Sequence, residues 1–470
     1  MSRTTTPPNA VVCALIVPIV LLPLMLPVRT PELMSSSGLV LIAFALLAAV
    51  FAVLSAGAQS SQAVSRLPGR GWWLFWGLMS GTVLLHILPV PWLARTFGPY
   101  PEIFWDNDLF SPRFWSPHPA ASLRGWAVFM ALFVVAWLVH ELDRRSRAWL
   151  WFAIAASATF QACYGLASQL AGADTIFGLW ERRNASFIQG SFSNRNLFAA
   201  YLALAWPLTT AIWWMRDMPL LSRLPIEMRI MGSLVSSALI GAAIFTSASR
   251  LGAMGAAIGA MTTLLLLTSY RRRMPNIAVW PAWIALAGTS LLAIWIGLEP
   301  LADRLAISEA DGHRRIAFEL MLKELPAAWW LHGVGLGGFE AVFKLIQPDQ
   351  IRGWWDYAHS DVLQWLLEMG VVGWILLFMA AGGLTRSARL SFERVPLYGG
   401  LVALIVIATA DFSWHMPATQ VVLAIFIGAL LSQEARAGKQ HCRDHALAMK
   451  QGSVRRKRSV TGRFRRDLLD

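Results

Sequence analysis

The sequence predicts an all-α, polytopic integral membrane protein of about twelve transmembrane helices, with a large outward-facing loop that bears amphipathic helices. Of the 470 residues, 56% are hydrophobic and only 14% charged, against roughly 25% charged in ordinary soluble domains. Apolar runs of about 18 or more residues, long enough to cross a hydrocarbon core about 30 Å thick, recur along the chain. Tryptophan, which is enriched where a membrane meets water, occurs 24 times.

The apolar runs define the predicted spans in chain order. They cover residues 10–28, 38–57, 72–92, 123–140, 149–170, 196–215, 230–248, 251–269, 277–297, 361–384, 397–413 and 417–433. The first run contains Pro18 and Pro23 and lacks a clear small-residue cleavage site. We therefore expect an uncleaved first span rather than a signal peptide.

Arginine clusters on alternate connections indicate the orientation. The clusters are Arg66/Arg70, Arg144/Arg145/Arg147, Arg216/Arg223/Arg229, Arg271/Arg272/Arg273 and Arg386/Arg389/Arg394, followed by a basic tail. Because cytoplasmic loops carry an excess of Lys and Arg, this pattern places both termini in the cytoplasm. The long connections 93–122, 171–195 and 298–360 then lie on the outer face, and acidic residues outnumber Arg and Lys in the last of them.

Much of the net charge of +13 belongs to the tail, residues 436–470. Its basic runs favour a disordered topology anchor that touches anionic lipid over a nucleic-acid-binding segment. Cys13, Cys163 and Cys442 are scattered, so neither a disulfide framework nor a cysteine metal site is predicted.

Two outward segments precede helices. In Gly190-Ser191-Phe192-Ser193-Asn194-Arg195-Asn196, Ser193 or Asn194 can cap the next helix and leave Arg195 and Asn196 at the interface. Arg250 follows Ser249 between two apolar runs that leave little room for a loop. The Gly- and Ala-rich run after it allows helices to approach closely, so Arg250 is a cation at the outer end of a tight helix pair. Interfacial snorkelling is the alternative explanation for both arginines.

The 298–360 loop contains two further patterns. His313-Arg314-Arg315 begins a predicted amphipathic helix, and the guanidinium fork of either arginine suits phosphate oxygens. The segment 333–338, Gly-Val-Gly-Leu-Gly-Gly, matches GxGxxG literally but lacks the strand–turn–helix setting of a dinucleotide site. A tight turn that brings the backbone close to a neighbour is the better interpretation.

His359 directly precedes the apolar run 361–384, where water, titratable groups and the membrane surface meet. If the helix of the run 361–384 extended back to His359, Gly370 and Gly373 would share a helical face with His359, and Glu368 would lie on nearly the opposite face. We interpret Glu368 as a structural buried acid. His415, near Asp411, is a second outward histidine and competes with His359 for a catalytic role.

Taken together, these motifs resemble the O-antigen ligase and polymerase superfamily of bacterial envelope glycan transferases. The resemblance rests on the 190–196 segment, Ser249-Arg250, Arg314/Arg315 with the 333–339 glycine segment, and His359-Ser360-Asp361-Val362-Leu363-Gln364 with Met369-Gly370. The segment from Asp411 to Ala418 is similar to the hinge before the last helix in some members. The similarity divides the chain into N-terminal scaffold helices (1–185), an O-antigen ligase-like region (186–435) and the tail (436–470).

The resemblance implies transfer of a glycan from undecaprenyl diphosphate to a sugar hydroxyl, either on lipid A–core or on another lipid-linked glycan. It implies an inner-membrane protein whose active site faces the periplasm, with no metal and no cofactor. The histidine of the family maps onto His359, its first arginine onto Arg250 and its second onto Arg314 or Arg315. Asn194, Arg195, Asn196, Asp411 and His415 are accessory candidates.

Three alternatives stay open from the sequence. The same motifs fit an O-antigen or exopolysaccharide polymerase, and the same chemistry fits protein O-glycosylation. A solute transporter is more remote, because transporters place polar residues near the middle of the membrane and here the polar groups gather on outer loops.

Overall fold

The computed structural model describes residues 10–25, 31–58, 70–97, 113–182, 186–215, 217–218, 220–273, 287–288, 309–351, 355–387 and 390–432. Within them the fold is a helical bundle. The helices are α1 (Ala10–Met25), α2 (Pro31–Ala58), α3 (Arg70–Ile87), α4 (Pro91–Phe97), α5 (Pro119–Glu141), α6 (Arg144–Leu170), α7 (Arg195–Ala211), α8 (Ile226–Thr246), α9 (Arg250–Arg273), α10 (Glu309–Glu324), α11 (Ala327–His332), α12 (Phe339–Ile346), α13 (Asp361–Ser387), α14 (Val395–Ala408) and α15 (Pro417–Leu431).

The prediction of a mostly helical membrane protein is confirmed. In the described part of the chain, the only strands are β1 (Thr175–Ile176) and β2 (Trp180–Glu181), which pair antiparallel in a small hairpin. Six of the described helices are long and apolar enough to cross a membrane, and five shorter ones are also apolar. Each of these eleven overlaps one predicted run. The twelfth run, 277–297, lies outside the described residues apart from 287–288, so the total of twelve stays a prediction.

The central helix of the bundle is α7. Every residue from Leu197 to Ala211 is buried, and many of them are alanines. Small side chains let neighbouring backbones approach closely. Because the hydrophobic effect does not drive helices together within lipid, van der Waals packing between them stabilises the helix pairs. Helices α6, α8, α9 and α14 all contact α7.

The glycine-rich start of α9 behaves as the sequence predicts. A Cβ on Gly252 would lie 2.5 Å from the Cβ of Ala199 in α7, and a Cβ on Gly255 would lie 2.7 Å from the carbonyl oxygen of Ala403 in α14. Neither position has room for a side chain, so α9 packs closely against both α7 and α14.

The two ends of the bundle differ in their polar groups. Helices α7, α9 and α13 begin at the end that carries His359, close to where α14 finishes and α15 starts. The opposite end, where α6 and α14 begin, holds Arg147, whose Nε lies 3.5 Å from Glu393 Oε1. Trp151 Nε1 donates to the same carboxylate at 3.1 Å.

Candidate active site

His359 lies in a turn rather than in a helix. Its φ of +53° is in the left-handed region, which is unfavourable for residues with a Cβ, and α13 begins only at Asp361. The projection of a helical face back to His359 was therefore wrong, because the helical geometry stops short of it. Ser360 caps the helix: its hydroxyl accepts from Leu363 N–H at 3.3 Å and donates to the carbonyl of Thr409 at 2.8 Å.

Two aromatic rings hold the imidazole of His359 edge-on. The ring centroids of Trp355 and Phe412 lie 4.8 and 4.9 Å from that of His359. Among the described residues, Nδ1 of His359 is buried without a hydrogen-bond partner. Burial, and then the nearby positive charge of Arg314, lower the pKa of His359 to about 3. The imidazole is consequently neutral at physiological pH.

The arginine doublet of α10 divides between two environments. The Arg314 guanidinium points into the site and donates to the carbonyl of Ala410 at 3.4 Å. The Arg315 side chain is 82% exposed and its Nε lies 3.2 Å from Glu319, one helical turn along. Of the two, Arg314 is the one whose charge acts on His359. The buried face of α10, with Ala317 and Met321, holds this orientation.

Asp411 connects Arg314 to the start of α7. This fully buried carboxyl accepts from Phe412 N–H at 2.8 Å. Burial raises the pKa of Asp411 to about 6, although Arg314 and the side chain of Asn196 both act to lower it. The predicted span 397–413 is too long, because α14 ends at Ala408 and Asp411 lies in the connection that follows.

His415, the rival histidine, is paired with a buried carboxylate. Its Nδ1 lies 2.5 Å from Asp361 Oδ1, and Asp361 Oδ2 accepts from Trp414 N–H at 2.8 Å. Burial lowers the pKa of His415, but the hydrogen bond and charge of Asp361 outweigh it and raise the pKa above its usual value. The His415 ring therefore favours its protonated form more than an ordinary histidine does, whereas the ring of His359 is neutral.

Arg250 is the first residue of α9, directly after a tight turn. Ala248 has a φ of +51°, and the hydroxyl of Ser249 accepts from Gly252 N–H at 3.2 Å to cap the helix. Because Gly252 packs on Ala199 in the first turns of α7, Arg250 lies at the same end of the bundle as Asn196.

The accessory candidates before α7 have structural contacts of their own. Asn194 is the cap of α7, and its Oδ1 accepts from Asn196 N–H at 2.8 Å. The Arg195 guanidinium lies 4.0 Å from the centroid of the Phe187 ring, a cation–π contact. Of this segment, Asn196 is the residue that reaches the site through Asp411.

The glycine segment packs against α13 where that helix is interrupted. Gly370 has non-helical backbone angles (φ +65°, ψ −171°) inside α13. A Cβ on it would lie 2.4 Å from the carbonyl oxygen of Leu331, and one on Gly333 would lie 2.4 Å from the carbonyl oxygen of Glu368. The neighbour that the tight turn approaches is therefore the backbone of α13.

Sequence reasoning gave Asp361 and Gln364 no role and missed the aromatic neighbours of His359. A signal for the two polar residues existed: Asp361, Gln364 and Glu368 follow helical spacing inside an apolar run, and all three are buried. For Trp355 and Phe412 no sequence signal pointed to His359, since many aromatic residues occupy this region.

Residues 235–378 match the O-antigen ligase family model. The chain carries an O-antigen ligase domain. The domain extends from the middle of α8 into α13 and includes Arg250, Arg314 and His359. No curated protein matches the chain. At the level of the family, the O-antigen ligase domain indicates a glycosyltransferase-like enzyme of a bacterial membrane.

Proposed function

We propose that the protein transfers an oligo- or polysaccharide from undecaprenyl diphosphate to a sugar hydroxyl, as an O-antigen ligase-like enzyme. The observation that carries the proposal is a neutral histidine beside an inward-pointing guanidinium within an O-antigen ligase domain. One group suits a base and the other suits a diphosphate, and glycan transfer from a lipid diphosphate requires both.

The donor diphosphate binds to Arg314 and Arg250 in this proposal. As the bond between the anomeric carbon and the diphosphate oxygen breaks, the leaving diphosphate takes the electron pair and gains negative charge. Fixed guanidinium groups stabilise that charge without reorganising. The N-termini of α7, α9 and α13, which lie at the same end, contribute further positive potential.

The acceptor hydroxyl attacks the anomeric carbon and loses its proton to His359. An imidazole that is already neutral is in the correct state to accept it. A pKa of about 3 makes His359 a weak base in the free protein, but part of that depression comes from Arg314. A bound diphosphate offsets the Arg314 charge, so donor binding raises the pKa of His359 and strengthens the base. A single displacement inverts the anomeric centre.

The proposal places this chemistry on the periplasmic face of the inner membrane, with both termini in the cytoplasm. The preferred acceptor is lipid A–core. A polymerase would use another lipid-linked glycan as acceptor, and the family match fits both acceptors.

The test uses a strain that lacks the chromosomal gene, complemented with His359→Ala, His359→Asn or His415→Asn. Loss of a general base costs about 10²- to 10⁴-fold in rate, so both His359 variants should abolish transfer at normal protein level. Asn at 415 can still donate a hydrogen bond to Asp361, so His415→Asn should retain most of the transfer.

Lipopolysaccharide gels read out the result. Complete loss of the ladder with accumulation of lipid-linked polymer identifies a ligase, whereas caps of a single repeat identify a polymerase. Unchanged transfer in both His359 variants at wild-type protein level would refute the assignment of the base.

A further inference from the structure

Glu368 is a buried carboxylate with a defined set of donors. Glu368 belongs to α13 and is 1% exposed. Oε1 accepts from the Gln364 side-chain amide at 3.1 Å and from the backbone N–H of Phe339 at 3.4 Å. Phe339 is the first residue of α12 and directly follows the glycine segment 333–338. One carboxylate oxygen therefore joins α13 to the end of the glycine segment.

Gln364 extends this connection to the turn that carries His359. While its amide nitrogen donates to Glu368, its Oε1 accepts from the backbone N–H of Ala358 at 3.0 Å. Ala358 is fully buried and directly precedes His359, whose φ is +53°. A left-handed residue other than glycine persists only where its surroundings hold it. The hydrogen bond from Ala358 to Gln364 is one such constraint.

The backbone of α13 binds the glycine segment beside the same carboxylate. Val334 N–H donates to the carbonyl of Leu367 and Gly335 N–H to the carbonyl of Glu368, each at 2.9 Å. The Glu368 carboxyl also accepts from the backbone N–H of Gly337, so the side chain and the main chain of Glu368 both contact the segment. The glycine segment and the His359 turn therefore both form hydrogen bonds with the same two turns of α13.

We propose that Glu368 and Gln364 are positioning residues that hold the His359 turn in register with the glycine segment. The inference rests on the proposed role of His359 and adds what keeps its imidazole in place. The donors to Glu368 from Gln364, Phe339 and Gly337 are all neutral N–H groups, so the role requires acceptor oxygens but not a negative charge.

This requirement makes the side-chain amide the informative substitution. In Glu368→Gln, the amide oxygen can still accept from Phe339 and from Gln364, so these two links survive. Glu368→Ala leaves buried donors without an acceptor, which is unfavourable. Gln364→Met keeps the volume of the side chain and removes only its hydrogen bonds.

The experiment measures kcat and donor KM for transfer from a lipid-linked glycan in membranes carrying Glu368→Gln, Glu368→Ala, Gln364→Met, His359→Ala or Tyr201→Phe. Tyr201→Phe is the matched control, because it removes one buried hydrogen bond, from the Tyr201 hydroxyl to Ser157 at 2.9 Å, elsewhere in the bundle. Misplacement of a catalytic group by about 1 Å can cost about 10²-fold, so Glu368→Ala and Gln364→Met should lower kcat by about 10- to 100-fold with donor KM nearly unchanged. Glu368→Gln and the control should stay close to wild type.

The outcomes separate this inference from the proposed function. Activity in His359→Ala refutes the proposed function. Loss of activity in His359→Ala together with a wild-type kcat in Gln364→Met overturns the positioning role. Loss in Glu368→Gln as complete as in His359→Ala, at normal protein level, also overturns it, since Glu368 would then act through its charge or its proton. If Glu368→Ala does not accumulate, Gln364→Met and Glu368→Gln decide the question.

Discussion

At the scale of single residues, Arg314 and Arg315 are adjacent in sequence but differ in surroundings. The sequence supports either as a phosphate ligand, because both precede the same apolar helix face. The packing of α10 turns Arg314 towards Ala410 and Asp411 and leaves Arg315 beside Glu319. Helical rotation, rather than residue type, distinguishes the two.

Alanine substitutions of this doublet should therefore give very different results. Arg314→Ala removes a charge-stabilising group, and we expect transfer to fall by about 10²-fold or more. Arg315→Ala removes an exposed ion pair of about 0.3–0.5 kcal/mol and should leave transfer within about twofold of wild type. Quantitative lipopolysaccharide gels at matched protein level measure both. Equal loss in the two variants would contradict the assignment of Arg314.

The residues of the candidate site were predictable from sequence to different degrees. Arg250 and the arginine doublet stand out because arginine on the predicted outer face runs against the positive-inside tendency. His359 stands out because it is a titratable group where an outer loop meets an apolar run. The pairing of Asp361 with His415 was not predictable, since it joins positions 54 residues apart. The left-handed backbone conformation of His359 was not predictable either, because no sequence pattern reveals a residue with a Cβ that adopts a positive φ.

At the scale of elements, α13 is a membrane helix with a break at Gly370. Hydropathy predicts the run 361–384 as one span, and the helix does extend through it. Hydropathy does not report backbone angles, however, so the break is visible only in the structure. It brings the Leu331–Gly333 backbone into direct contact with α13.

Gly370→Ala should disrupt this contact. The backbone angles of Gly370 are accessible essentially only to glycine. We therefore expect the free energy of unfolding to fall by about 1–3 kcal/mol from backbone strain alone, and further because the new Cβ clashes with Leu331. The unfolding temperature of the detergent-solubilised protein and the rate of glycan transfer in membranes should both decrease. Gly383→Ala is the control on the same helix, because a Cβ at Gly383 would meet nothing within 4 Å. Wild-type stability and transfer in Gly370→Ala would show that the break is dispensable.

At the scale of the whole molecule, the ends of the bundle carry different chemistry. His359, Arg314 and Asp411 gather at one end, and the Arg147–Glu393 pair lies at the other. The sequence predicted this separation through its alternating arginine clusters, because charge near helix ends depends on topology rather than on detailed packing. Which end faces the periplasm stays a prediction.

Thiol labelling in intact cells tests the orientation. In a background with Cys13, Cys163 and Cys442 replaced, Arg315→Cys should react with a membrane-impermeant maleimide added outside. Arg145→Cys, exposed at the opposite end, should react only after permeabilisation of the inner membrane. The reverse pattern would place the candidate site in the cytoplasm and exclude a periplasmic transferase.

The burial of α7 from Leu197 to Ala211 has a consequence for the order of biosynthesis. Three of the helices that contact it, α8, α9 and α14, follow it along the chain, and α14 begins only at Val395. Until α14 has been synthesised, one side of α7 lacks its protein neighbour. Asp411, the carboxyl that meets Asn196 at the start of α7, emerges later still. The candidate site is therefore assembled only after nearly the whole chain has left the ribosome, and a nascent chain that ends before α14 lacks it.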